Sequence, residues 1–529
     1  MTNAPGGGPG STTREAHSHP QIPMSDFRRK SPTNGAKLGA VTEDFERCYR
    51  AVKSRDTRFD GWFFTGVTST HIYCRPSCPA ITPQRGNVRF HPTAASAQQA
   101  GFRACMRCRP DASPGSPEWD MRADVAARAM KLIADGIVDR EGVAGLARHL
   151  GFSVRQVQRV LVAEVGTGPL ALARAQRAQT ARVLMETTDL PVAHVAFAAG
   201  FASVRQFNET IREIFANTPT EIRRQSKVRG DAGAGAIQLR LPYRAPFDAG
   251  SLFAFLGMRA VPGVEAYVDG TFLRSLNLPH GEGIVELTPD VGCVRATFYL
   301  QDLRDLTAAV TRCRRLLDLD ADPVAIDATL SLDPLLSRSV RHTPGKRMPG
   351  AVDGAELAVR AVIGQQVSVA GARTVTGRLV AVAGRPLVNP RSPLTHLFPT
   401  ADEIAAAGDP AFSMPGARRR ALGSLATAIA EGTVRIDPGE DPDELEGHLL
   451  ALPGIGPWTT AYISMRALGH PDAFMPTDLG VRRAIARLGH NDDVATVKRL
   501  AEKWRPWRAY AMAHLWSIPA FTEGEVNAA

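Results

Sequence analysis

Cysteine is scarce, with seven in 529 residues. So few in so long a chain excludes a disulfide-stapled scaffold. Aromatic residues make up only 6%. No apolar run reaches the roughly 18 residues of a membrane span. The first residues, MTNAPGGGPGSTTREAHSHP, lack the apolar stretch of a secretory signal. These absences point to a reduced, cytoplasmic chain with no membrane partner. Acidic charge is short in one half only. Residues 1–230 hold 32 Lys and Arg against 20 Asp and Glu, while the remainder hold 31 against 33. The formal charge of +10 therefore belongs to the first half, as expected of a polyanion binder. By charge alone, a soluble protein of high isoelectric point would look the same.

The length predicts three to four domains. Residues 1–40 are rich in Gly, Pro, Ser and Thr without periodicity and are expected to be a disordered tail. A turn-rich segment over 41–112, with short strands such as GWFFTGV, holds five of the cysteines. PDASPGSPEWD (110–120) reads as a linker. Over 121–228 the pattern is helical and repeats. LARHLGFSVRQVQRV and VAFAAGFASVRQFNET place their Gly-Phe pairs at 151/152 and 200/201. In each copy an apolar-periodic helix stops at Gly-Phe and another starts after a Ser, which makes two helix-turn-helix units. Their Phe and Leu residues are expected in the core. RGDAGAGA (229–236) reads as a second flexible linker. Residues 238–335 alternate apolar and polar positions and predict a small antiparallel α+β unit. Residues 350–520 are helical, with Gly- and Pro-bearing loops. The fold class is multidomain α+β: a small zinc-binding α+β domain, an all-α double helix-turn-helix domain, an antiparallel α+β domain and an all-α helix-hairpin-helix domain.

Two stretches carry chemistry. Cys74 and Cys78 form C-x3-C, and Cys105 and Cys108 form C-x2-C after 26 intervening residues. In a reduced chain this spacing predicts one zinc ion held by four thiolates, supplying folding energy that so small a segment lacks. A closed four-cysteine site is ordinarily structural. Against that stand the nucleophilicity of thiolates and the surrounding Arg75, Arg85, Arg89, Arg103, Arg107 and Arg109, which suit DNA phosphates. Spacing does not distinguish Cys74 from Cys78 as a reactive sulfur. In the second stretch, LPGIGPWTT (452–460) followed by FMPTDLGVRRA (474–484) reads as a helix-hairpin-helix. Backbone N–H groups around Gly454 and Gly456 can grip a phosphate without charged side chains. Asp478 at the following helix start is either an N-cap or a functional acid.

The stretch GVTSTHIYCRPSCPA with GFRACMRCRPD resembles the N-terminal domain of the Ada adaptive-response proteins. The resemblance makes Cys74 the acceptor of a methyl group from a DNA methylphosphotriester, with Cys78, Cys105 and Cys108 completing the metal site and Thr70 and the arginines meeting the backbone. Residues 121–225 resemble the DNA-binding domain of AraC-type regulators. Arg155, Gln156, Arg159, Arg205, Gln206 and Asn208 then become candidates for base or phosphate contact. Residues 238–520, including VRAVIGQQVSVAGART and AEKWRPWRAYAMAHLW, resemble AlkA-type 3-methyladenine DNA glycosylases. The resemblance implies that Asp478 is the catalytic acid and that Trp458, Tyr462 and Trp516 line the base pocket. Core packing is the alternative for each aromatic. The family's wedge position is Gln366 here, where an apolar residue is usual. Trp458 stands where strand-cutting relatives carry Lys, so a monofunctional enzyme leaving an abasic site is expected. No cysteine follows Cys313, which excludes the C-terminal iron–sulfur cluster of some relatives. Cys48, Cys293 and Cys313 are expected to be packing residues. The expected partners are double-stranded DNA and, once activated, RNA polymerase, at the nucleoid. Two alternatives stay open: a glycosylase half reduced to a DNA-binding platform, and a zinc unit with a structural role alone.

Overall fold

The computed structural model describes residues 45–56, 59–105, 107–108, 110, 125–225, 236–407 and 414–525. The expected tail, almost all of both linkers, and Arg109 lie outside them. Among the described residues, no helix is long and apolar enough to cross a membrane.

The first unit has helices α1 (Phe45–Lys53) and α2 (Ala94–Gln99) and strands β1 (Phe64–Val67), β2 (Ile72–Cys74), β3 (Val88–His91) and β4 (Arg103–Ala104). The strands form one sheet ordered β3-β1-β2-β4. The β2–β4 pair is parallel, with Ile72 opposite Arg103 and Tyr73 opposite Ala104.

Seven helices follow: α3 (Val125–Ala134), α4 (Ile137–Leu150), α5 (Val154–Val165), α6 (Pro169–Thr187), α7 (Val192–Ala198), α8 (Val204–Phe215) and α9 (Pro219–Gln225). The repeat folds as its punctuation predicts. Gly151 ends α4 in the left-handed region, and Ser153 caps α5 by accepting the Gln156 N–H. Ser203 caps α8 in the same way through Gln206 N. The copies differ at the phenylalanine. Phe201 is buried at 3% exposure, whereas Phe152 is 37% exposed and is not core.

Strands β5 (Ala236–Pro242), β6 (Glu265–Val268), β7 (Thr271–Leu278), β8 (Gly281–Asp290) and β9 (Cys293–Leu300) form an antiparallel sheet ordered β5-β9-β8-β7-β6. Helix α10 (Ala249–Met258) links β5 to β6, and α11 (Leu306–Leu316), α12 (Pro323–Leu330) and α13 (Pro334–His342) follow. Residues of α12 and α13 share a hydrophobic core with Met465, Val481, Val497 and Trp504 rather than with the sheet.

The C-terminal region holds α14 (Gly354–Ile363), α15 (Val369–Ala383), α16 (Ala401–Ala407), α17 (Gly416–Ala430), α18 (Pro442–Leu450), α19 (Pro457–Ala467), α20 (Leu479–Arg487), α21 (Val494–Ala501) and α22 (Arg508–Glu525). It is not wholly helical. A hairpin of β10 (Pro386–Arg391) and β11 (Leu394–His396) interrupts it, and Leu387 and Leu394 cover Ala266 and Ile284 of the larger sheet.

The linkers predict halves that act separately, but the described parts pack together. One hydrophobic core joins Tyr73 and Phe102 of the first unit, Leu184 and Phe207 of the helical unit, and Ile237 and Phe298 of the larger sheet. Cys48, Cys293 and Cys313 are buried, at 0%, 2% and 0% exposure, as expected of packing residues.

Candidate functional site

The parallel β2–β4 pairing builds the cysteine cluster. Cys74 ends β2 and Cys105 follows β4, so the two lie side by side, with Cys105 N donating to Tyr73 O at 3.0 Å. Cys78 returns through a turn, its N–H donating to Arg75 O at 3.1 Å. All four sulfurs lie within 4.8 Å of one another. Such thiols compete for protons. Hydrogen bonding to Cys105 pushes the Cys74 thiol up, and hydrogen bonding with Cys108 holds the Cys105 thiol down. A soft divalent cation removes that conflict, and four convergent thiolates fit tetrahedral zinc.

One residue that holds this loop carries no signal in the sequence. Asp60 Oδ1 accepts the Ser77 N–H at 3.0 Å, and Oδ2 accepts the Ser77 hydroxyl at 2.5 Å. Burial pushes its carboxyl up, against the lowering effects of Ser77 and Arg75.

The arginines around the cluster are not equivalent. Arg75 forms an ion pair with Asp60 at 3.4 Å. Arg85 pairs with Glu46 and lies over the Phe45 ring. Arg89 Nη1 donates to Val88 O at 3.0 Å. Arg107 and Thr70 are exposed, and Arg103 is half-buried on β4.

On the helix-turn-helix units, Arg155, Gln156 and Arg159 of α5 and Arg205 and Gln206 of α8 are exposed, while Asn208 is half-buried. Gln156 completes a capping box: its Oε1 accepts the Ser153 N–H at 3.0 Å and the Ser153 hydroxyl at 2.7 Å. Arg205 pairs with Glu209 one turn on, at 3.0 Å.

In the C-terminal region the hairpin joins α18 to α19. Gly454 has φ of +79°, and a Cβ there would lie 2.8 Å from the Ala421 Cβ, so both backbone and space call for glycine. Gly456 is the N-cap of α19. Asp478 combines its two readings. Its Oδ1 accepts the Val481 N–H at 2.9 Å, capping α20. The same oxygen accepts Trp516 Nε1–H at 2.9 Å, and Oδ2 accepts Trp458 Nε1–H at 3.0 Å. The carboxylate is thus fixed in position and partly open to solvent.

Trp458 and Tyr462, one turn apart on α19, stack at 5.3 Å with their planes within 8°. They form one stacked pair rather than two independent faces. The Tyr462 hydroxyl accepts from Arg466 Nη1 at 2.6 Å. Burial raises this phenol, but the Arg466 and Arg259 guanidiniums outweigh it and hold it below its ordinary value.

Gln366 is exposed and adopts φ of +56° in the turn between α14 and α15. Its neighbours Val367 and Val369 are also exposed, at 39% and 41%. The turn is tied to the hairpin by Gln365, whose Nε2 donates to Gly454 O at 3.1 Å and to Thr459 Oγ1 at 2.9 Å. Sequence reading passed over Gln365, although it stands in the same GQQVS motif. It also missed Gly480, where a Cβ would lie 2.9 Å from Trp516 Cδ1 and 3.1 Å from Asp478 Oδ1.

Four family models match successive stretches: the metal binding domain of Ada over 47–111, a helix-turn-helix domain over 146–225, the AlkA N-terminal domain over 238–353, and the HhH-GPD superfamily of base excision DNA repair proteins over 359–509. The chain is 54% identical over 478 residues to the "probable bifunctional transcriptional activator/DNA repair enzyme AlkA" of Mycobacterium tuberculosis, covering 90% of this chain and 96% of that one. It is 35% identical to Escherichia coli DNA-3-methyladenine glycosylase 2 over 54% of this chain and 97% of the other. Among solved structures, the methylated N-Ada/DNA complex matches at 34% identity, 25% of this chain and 97% of that one, with a TM-score of 0.13.

Proposed function

Because the chain belongs to the family of AlkA-type bifunctional transcriptional activator and DNA repair enzymes, we propose that it performs two repair reactions on alkylated DNA and reports one of them to transcription. The observation that carries the excision reading is the Asp478 carboxylate. It is an N-cap that two tryptophan N–H groups also hold, in a domain whose hairpin is tied by Gln365 to the exposed Gln366 turn.

In base excision, the damaged nucleotide leaves the stack and enters the aromatic pocket. Gln366, exposed in its turn, fills the resulting gap. Gly454 and Gly456 hold the backbone phosphate through N–H groups. The alkylated purine is already cationic, so the N-glycosidic bond breaks with its electron pair going to the base, which departs neutral. Asp478 stabilises the positive charge left on the sugar and accepts a proton as water adds. The stacked Trp458–Tyr462 pair and Trp516 favour an electron-poor ring. With Trp458 at the hairpin, no lysine amine is present there to attack the sugar, so the product is an abasic site.

In backbone repair, the Cys74 sulfur attacks the methyl carbon of a methylphosphotriester. The S–C bond forms, the C–O bond breaks, and the electron pair leaves with the phosphodiester oxygen. Zinc held by Cys74, Cys78, Cys105 and Cys108 keeps the sulfurs as thiolates. Thr70, Arg103 and Arg107 meet the backbone, while Arg75 and Ser77, both held by Asp60, orient the loop. The methylated sulfur has lost a negative charge facing DNA, so binding tightens. Arg155, Arg205 and Gln206 then read or grip the promoter. Gln156 contributes through its amide Nε2, since its oxygen is engaged in the cap. Activation brings RNA polymerase to the promoter, and the site of action is the cytoplasmic nucleoid.

The test incubates the chain with duplex containing one methylphosphotriester and, separately, with methylated duplex. A methyl group on the peptide containing Cys74 and free 3-methyladenine are the expected products. Cys74→Ser is expected to lose only the first. Failure to find either product overturns the corresponding half of the reading.

A further inference from the structure

Helix α3 lies in the regulatory segment, yet several of its side chains lie at the root of the helix-hairpin-helix. Arg128 is buried, and its Nε donates to Gly439 O. Its Nη1 is 3.8 Å from Asp441 Oδ2. Asp441 is the N-cap of α18, with Oδ1 accepting from Asp443 N and Glu444 N. Three residues on, Lys131 Nζ donates to Leu468 O at 3.1 Å, and Leu468 is the C-cap of α19. Leu132 fills the space beside Gly439, where a Cβ would lie 2.6 Å from its Cγ and 2.7 Å from its Cδ1.

These contacts fall at the start of α18 and the end of α19. Both lie at the end of the pair away from the Gly454–Gly456 turn. A cation at the carbonyl end of α19 also suits the helix dipole. The far end of α3 is anchored on the α+β unit. Ala134 O accepts from Thr311 Oγ1 at 3.0 Å, and Asp135 pairs with Arg312 at 3.2 Å. One regulatory helix therefore spans from the sheet unit to both helices of the hairpin.

We propose that α3 positions the hairpin for base excision, with Arg128 and Lys131 as positioning residues and Leu132 as the side chain packed against Gly439. The inference rests on the glycosylase reading and adds to it a role in excision for the regulatory half. The hairpin turn binds a phosphate, an interaction made alike in ground and transition states. Loss of its support is therefore expected in KM more than in kcat. A displacement of about 1 Å in a binding element is enough for effects of ten- to a hundredfold.

The experiment uses the full zinc-loaded chain and methylated duplex. Gly439→Ala places a methyl group against Leu132 and is expected to raise KM about tenfold, with kcat within about twofold. Adding Leu132→Ala makes room again and is expected to restore KM. Methyl transfer to Cys74 reports an intact regulatory half throughout. If Gly439→Ala has the wild-type KM, the proposal is overturned. It is also overturned if the KM defect persists in the double variant, because the loop before α18 would then be at fault. Should Gly439→Ala fail to fold, Lys131→Met decides: a raised KM supports the proposal and an unchanged KM overturns it. No base release from the wild type overturns the glycosylase reading and this inference with it. Wild-type release beside an unaffected Gly439→Ala overturns the inference alone.

Discussion

Asp478 is both a helix cap and the proposed catalytic group, and two substitutions separate those roles. In Asp478→Asn the amide oxygen can keep the Val481 and Trp516 N–H groups, each now at 2.9 Å. The amide nitrogen then faces Trp458 Nε1 across 3.0 Å, donor against donor. The cost is about one hydrogen bond, roughly 1–2 kcal/mol. Asp478→Ala loses the cap, about 1 kcal/mol, and leaves two indole N–H groups without an acceptor at about 1–3 kcal/mol each when buried. The stability penalty should therefore be clearly larger for Ala. At about 2–4 °C per kcal/mol for a domain of this size, a thermal melt resolves the two. Both variants lack the charge that stabilises the sugar cation. By analogy with removing one electrostatic stabiliser, about 3–4 kcal/mol, each should slow base release by roughly 10²–10³. Single-turnover release of 3-methyladenine measures this. If Asp478→Asn keeps activity within about tenfold of wild type, Asp478 is only a cap and the mechanism is wrong.

Other perturbations address neighbouring claims. Gly480→Ala pushes a methyl group to 2.9 Å from Trp516. It should lower base release about tenfold, measured by single-turnover release of 3-methyladenine. Chelating the metal at neutral pH should abolish methyl transfer and expose the amides of the 45–110 unit to hydrogen exchange, with base release retained. Asp318 is half-buried, and desolvation pushes its carboxyl from 3.8 up to about 7, although Arg347 and Tyr510 oppose the shift. The folded chain then binds the extra proton, so this contribution is complete below about pH 4 and is lost as pH rises through 7. The stability of wild type relative to Asp318→Asn, followed by melts across that window, should fall with rising pH. Burial pushes the Cys313 thiol up to about 12, so native-state alkylation followed by peptide mapping should leave Cys313 unmodified.

What was legible in the sequence was what depends on local spacing. The two cysteine pairs, the Gly-Phe and Ser punctuation of the repeat, and the Gly-rich hairpin each fix their own geometry, and the structure places them as read. What depends on distant packing was not legible. Asp60 reaches Ser77 only because β1 and β2 fold back beside it, and no spacing rule connects the two. Gln156 reads as a recognition residue by position, but its oxygen satisfies the N-cap of its own helix. Phe152 and Phe201 occupy equivalent places in the repeat, yet only Phe201 packs into a core. The β10–β11 hairpin is too short to show periodicity amid helices. The docking of α3 follows from Gly439 and Leu132, more than 300 positions apart.

The central claim is that one chain carries out both repairs. Its most direct test is to incubate the purified zinc-loaded protein with DNA methylated by a radiolabelled reagent, then count label in free bases and on protein. The account predicts label in both fractions, with the protein-bound portion confined to the Cys74 peptide. Label in free bases alone would reduce the zinc unit to a structural role. Label on protein alone would make the C-terminal half a binding platform, and either result would contradict the account.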